Sequence, residues 1–120
     1  METVEFITIE IGDDLILSFA VQALDDFEDI ESLILMRTPK YESLMDDSER
    51  GVSASFDRFD DEADYLESVE YVESDKIVRI KTTLHNYELD AGKVDAKDLN
   101  QMRQILNKMN FDQRFKTSGI

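Results

Sequence analysis

The chain holds one histidine, no cysteine and 28 carboxylates, so any chemistry of its own would have to come from acids. His85 stands two residues from Tyr87 in a β-patterned stretch, and no serine sits in a nucleophile motif that would complete a triad with it. Zinc held by thiolates is excluded, and a single imidazole supplies no ligand set. The acidic runs Asp25-Asp26-Phe27-Glu28-Asp29 and Asp57 to Asp64 hold enough oxygens for a hard cation. Both lack the glycine that a calcium loop needs at its sharp turn. The four glycines, at 12, 51, 92 and 119, are isolated, so no phosphate-cradling loop is present. Paired carboxylates for glycoside chemistry would need a cleft with stacking aromatics, and the chain has no Trp. No catalytic residue, cofactor site or metal site is therefore expected, and the chain does not read as an enzyme.

The distribution of the acids says more than their number. Residues 1–24 carry five acids and no Lys or Arg; residues 25–75 carry eighteen acids against four basic residues; residues 76–120 carry nine basic residues against five acids. The net charge is −15. Such a charge repels phosphate and anionic lipid, so neither nucleic acid nor membrane is expected as a partner. No apolar run approaches the ~20 residues of a membrane span, and the N-terminus lacks a basic leader. A soluble cytoplasmic protein is the expectation. The basic residues of the last third are expected to pair with the acidic front or to solvate their own elements.

What remains is an acidic surface for protein recognition. Phe27, Tyr41, Phe59 and Tyr65 are interleaved with Asp25, Asp26, Asp29, Glu42, Asp57, Asp60, Asp61, Glu62 and Asp64. Apolar anchors among steering charges are the composition of an interface hot spot. From this set the expected partner-binding residues are Asp25, Asp26, Asp29, Glu42, Asp57, Phe59, Asp60, Asp61, Glu62, Asp64 and Tyr65. The partner implied is a basic protein, for instance a nuclease toxin whose phosphate site the carboxylates would fill. In size and charge the chain resembles bacterial immunity proteins as a class, although it carries no family motif. Two other readings stand beside this one. The chain could be a structural domain that pairs with itself through an exposed strand edge, or a carboxylate-based metal- or ligand-binding domain.

The elements that must position these residues follow from pattern. At 120 residues one domain is expected, with residues 111–120 as a C-terminal tail. Residues 3–11 alternate, with Phe6 and Thr8 facing one way and Ile7, Ile9 and Ile11 the other. Gly12-Asp13-Asp14 turns the chain into a second strand over 15–21. Residues 32–37 read as a short apolar strand, and Pro39 opens a short amphipathic helix near 40–49, with Tyr41, Leu44 and Met45 as its apolar face. Residues 52–58 alternate again, with Val52, Ala54 and Phe56 inward. Strands over 66–72 and 76–89 flank a turn at 73–75, the second long enough to need a bend. Asp95 caps a final helix whose stripe is Leu99, Met102, Ile105, Leu106 and Met109; Val94 and Leu99 form a hydrophobic staple, and Asn110 ends the helix. The expected fold is α+β: an antiparallel sheet of about five to seven strands, the C-terminal helix packed on one face.

Overall fold

A computed structural model of the chain describes residues 1–24, 29–60 and 63–120. Eight strands run in chain order: β1 (Glu2–Ile11), β2 (Leu15–Gln22), β3 (Ile30–Arg37), β4 (Ser53–Phe56), β5 (Leu66–Val72), β6 (Ile77–Thr82), β7 (Asn86–Asp90) and β8 (Lys116–Ser118). One helix, α1 (Ala96–Met109), lies between β7 and β8. The α+β reading holds, but the sheet is mixed and has eight strands, in the order β4-β3-β2-β1-β7-β6-β5-β8.

The sheet curls round on itself. Beyond the last pair, Ser53 of β4 bridges Tyr65 at the start of β5, with Ala54 N–H donating to the Asp64 carbonyl at 2.8 Å and Leu66 N–H to the Val52 carbonyl at 2.8 Å. Strands β1 to β7 thus form an up-and-down barrel. In such a run of seven, the first and last strands point the same way, so closure between β1 and β7 has to be parallel. It is parallel, and it rests on the pairs Glu2–Leu89 and Thr3–Asp90. The same edge of β5 serves two neighbours: β4 before the register shift at Leu66/Ser68, and β8, in parallel, over Ser68–Glu70. A bulge is a means of ending one pairing and re-aiming the strand.

Alternation decides which side chains fill the barrel. Leu15, Leu17, Phe19 and Val21 from β2 meet Leu33 and Leu35 from β3, and Val69, Val78, Ile80 and Leu89 close the far side. Helix α1 follows β7 after the turn Asp90–Val94 and packs its apolar stripe into the same cluster, with Met102, Ile105, Leu106 and Met109 fully buried. Its start is as expected: Asp98 N–H donates to the Asp95 carboxylate at 2.8 Å, and Val94 and Leu99 are both buried. Such a cap satisfies one of the orphan amides of the first turn.

Two expected elements differ. The stretch read as one long strand over 76–89 is the hairpin β6–β7. Its turn has no glycine; Thr82 builds it, its N–H donating to the His85 carbonyl at 2.9 Å and its Oγ1 accepting from His85 N–H at 3.0 Å. A Ser or Thr hydroxyl can replace a backbone partner in this way. The amphipathic helix near 40–49 is instead two 3₁₀ pieces, Pro39–Leu44 and Asp47–Glu49. Their one buried residue is Glu42, and Tyr41, Leu44 and Met45 face solvent rather than the core. In a 3₁₀ helix residues i and i+3 eclipse, which puts Tyr41 and Leu44 on one outward face.

Candidate protein-binding surface

The residues expected at the interface divide between two ends of the barrel. At the end where β2 leaves, β3 begins and β4 ends lie Asp29, Asp57, Phe59 and Asp60. Asp29 and Asp60 are exposed. Asp57 prolongs the β3–β4 ladder: its N–H donates to the Ser32 carbonyl at 3.1 Å and its carboxylate accepts from Ser32 N–H at 2.8 Å. Phe59 lies face to face on the His85 ring, 4.1 Å between centroids and 7° between planes, and Phe56 is 5.6 Å away. Between them Arg58 lies 4.8 Å over the Phe56 ring and joins Glu2 and Glu31, each at 2.7 Å. These two hydrogen-bonded carboxylates hold the Arg58 pKa above its ordinary value. Met1, Glu2, Phe56, Arg58, His85 and Tyr87 line a shallow hollow of about 260 Å³ here. Asp25, Asp26, Asp61 and Glu62 lie outside the described residues, as does Phe27.

Three expected contact residues have other work. Asp64 is buried, and its carboxylate accepts from Thr82 Oγ1 at 2.7 Å and from Leu84 N–H at 3.0 Å. It ties the start of β5 to the β6–β7 turn and is not available to a partner. Tyr65 is half-buried; its carbonyl accepts from Thr83 N–H at 2.9 Å, and its backbone carries the bridge to Ser53. Glu42 lies at the other end of the barrel and is buried against Arg37, with its two oxygens 2.7 and 2.8 Å from Nε and Nη2. Arg37 follows Leu33 and Leu35 on the inward face of β3. An arginine at an inward strand position demands charge and hydrogen-bond compensation. Glu42, five residues on, supplies half of it. Asp112 supplies the rest with bonds of 2.8 and 2.7 Å, and the Met109 carbonyl accepts at 2.8 Å. Burial pulls the Arg37 pKa down, but the hydrogen bonds from Arg37 to Glu42 and Asp112 outweigh it and hold the pKa above its ordinary value. The same guanidinium holds the Asp112 carboxyl well below the usual carboxylate range, against the effect of burial and with help from Arg114.

The basic residues of the last third do pair with the acidic front. Arg114 reaches Asp47 at 2.5 Å, Arg79 reaches Glu70 at 2.8 Å, Lys93 reaches Glu5 at 3.0 Å and Arg103 reaches Glu73 at 3.6 Å. At these four points cations from the back of the chain are interleaved with carboxylates from the front.

A surface of which sequence reasoning singled out only Tyr41 lies beside Arg37. The 3₁₀ segment lifts Leu44 to 84% exposure, with Tyr41 and Met45 exposed beside it. Asp46, Asp47 and Glu49 follow directly and are exposed. The β1–β2 turn joins them: Asp13 meets Lys40 at 3.2 Å, and Thr38 Oγ1 donates to Asp14 at 2.5 Å. The available signal was Arg37 itself, because an inward arginine turns Glu42 inward and so turns its apolar neighbours out.

Among the described residues, no group of three or more His, Asp or Glu side chains is placed to hold a metal ion, and no helix is long and apolar enough to cross a membrane. No protein-family model, no curated protein and no solved structure matches the chain.

Proposed function

We propose that the chain is an acidic protein-binding module that docks on a basic protein and blocks it, as an inhibitor of a nuclease toxin would. The observation that carries this reading is Leu44, a large apolar side chain held almost fully in water by a segment whose inward position is taken by Glu42. Exposed apolar groups ringed by charge mark interaction sites. Here the ring is Asp13, Asp14, Asp46, Asp47 and Glu49, with Tyr41 as a second anchor. The anchors would bury in the partner, while the carboxylates speed encounter with a cationic surface and fill positions meant for phosphate. Asp29, Asp57 and Asp60, at the far end, add to the long-range field without touching the same partner. In this reading the protein performs no reaction: His85 is stacked on Phe59, and Asp64 and Glu42 serve the fold.

The test is titration of the purified protein against a panel of purified basic nuclease domains by calorimetry and stopped flow, at low and high salt. A binder is expected whose association rate falls steeply as salt rises. Leu44→Ala should weaken it by about tenfold or more, as a buried anchor does. Asp46→Lys with Glu49→Lys should slow association. Binding indifferent to Leu44→Ala and to both charge reversals would sink the proposal, and so would a panel without a single binder.

A further inference from the structure

The outside of the barrel wall has two kinds of surface. Over β5–β7 the outward residues form a charged ladder in which Glu70, Arg79 and Glu88 lie in register across three strands. Arg79 bonds Glu70 at 2.8 Å and Glu88 at 3.0 Å. Over β1–β4 the outward residues at the centre of the wall are neutral. Thr8, Ser18, Ile34 and Ser55 form one cross-strand row. Phe6, 49% exposed, stands on the row to one side, and Ile16 and Met36 pair on the row to the other. Charged residues make up 34% of the chain, yet on this face charge is confined to the rim, at Glu10, at Asp57 and at Glu5, which bonds the Gln22 side chain and Lys93.

We infer that this neutral wall is the docking face for a second copy of the chain. Two copies of net charge −15 repel through any acidic surface, and only an uncharged face lets them approach. A two-fold contact also demands a self-complementary patch. A row of Ser, Thr and Ile at the centre of the wall meets its own copy without leaving a charge unpaired. Four strands about 4.8 Å apart and three outward rows about 6.8 Å apart span roughly 400 Å² of wall, and because that wall curves with the barrel a second copy covers only part of it. That is less than half of what a standard interface buries on each partner, so the dimer is weak and reversible. It adjoins the acidic site around Leu44, with Met36 and Ser53 lining one hollow together with Met45 and Glu49, and is opposite to it in salt dependence. Salt screens the repulsion between copies and strengthens this contact, while it weakens the docking of a basic partner.

Sedimentation velocity on the full chain, from micromolar to sub-millimolar concentration at low and high salt, tests the inference. A monomer–dimer equilibrium is expected, with the dimer fraction rising with salt. Ile34→Lys should weaken dimerisation by about tenfold or more. Ser18→Lys, at a position that is not part of the core, should do the same and covers the case in which Ile34→Lys fails to fold. Asn86→Lys adds the same charge to the charged wall and should leave the equilibrium unchanged. A monomer throughout the range at high salt overturns the proposal. So does a dimer that survives both lysines, which would place the contact on a strand edge or another face, and so does one that Asn86→Lys weakens equally.

Discussion

Arg37 and Arg79 make the same arrangement in different solvents. Each guanidinium bridges two carboxylates with bonds near salt-bridge optimum, Arg37 between Glu42 and Asp112 and Arg79 between Glu70 and Glu88. The Arg37 side chain has 0% exposure and the Arg79 side chain 48%. A charge bridge in water is screened and offset by the entropy of holding its side chains still, so it adds little to stability. A buried bridge, once lost, leaves charges that cannot be rehydrated. The difference lies in the consequence of breaking the bridge, not in its geometry. Arg58, between Glu2 and Glu31 at 22% exposure, is an intermediate case.

These three arginines can be set in order by experiment. Arg37→Ala is the largest expected effect: it strands buried Glu42 and frees Asp112 and the Met109 carbonyl, for a loss of about 3–5 kcal/mol in urea unfolding. A result below about 1 kcal/mol would mean that water reaches this cluster. The next effect depends on pH. Asp112 has its folded pKa below the unfolded value of about 3.9. Its contribution is therefore complete above roughly pH 4 and is lost as pH falls through the folded value. Asp112→Asn should lower stability at neutral pH, by less than Arg37→Ala, and flatten the loss of stability in acid; an unchanged acid limb would show that the carboxylate is not the group being protonated. Arg58→Ala should cost about 1 kcal/mol, a value between the two extremes. Arg79→Ala should leave the unfolding midpoint in place at moderate salt. A clear shift there would mean that the outer ladder on β5–β7 stiffens the barrel, and the contrast with Arg37 would narrow.

The same division by burial separates what could be read in the residues from what could not. Helix α1 was legible throughout because its cap, staple and stripe are local signals that agree with one another. The inward face of β4 was legible through alternation, and β2 and β3 were legible as apolar strands. The β6–β7 turn was hidden because a threonine hydroxyl does the work that glycine or asparagine usually announces. β8 has three exposed residues, and its pairing with β5 has no periodicity to betray it. The candidate site shows the limit of pattern more sharply. Asp57, Phe59 and Asp60 do lie together, at the same end of the barrel as Asp29, but Glu42 and Asp64 looked like any other surface acid. Only their three-dimensional neighbours, Arg37 and Thr82, make them internal. Pattern reports which side of an element is apolar; it does not report which carboxylate an inward cation will claim.

The parallel closure sets the order in which this barrel can be made. Glu2 and Thr3 find their partners, Leu89 and Asp90, only after most of the chain has been synthesised. Every other neighbour within the seven-strand wall is a hairpin or a connection between consecutive strands, so the nascent chain can build β1 to β7 in sequence as an open ribbon. Throughout that time β1 presents a free edge. Joining segments so distant in sequence costs loop-closure entropy before it gains any contact, and such long-range pairings slow folding. Closure of the ring is thus expected to be the late step on the folding path. A chain released before residue 90 would keep an unpaired edge strand, the template from which strand-to-strand aggregation begins.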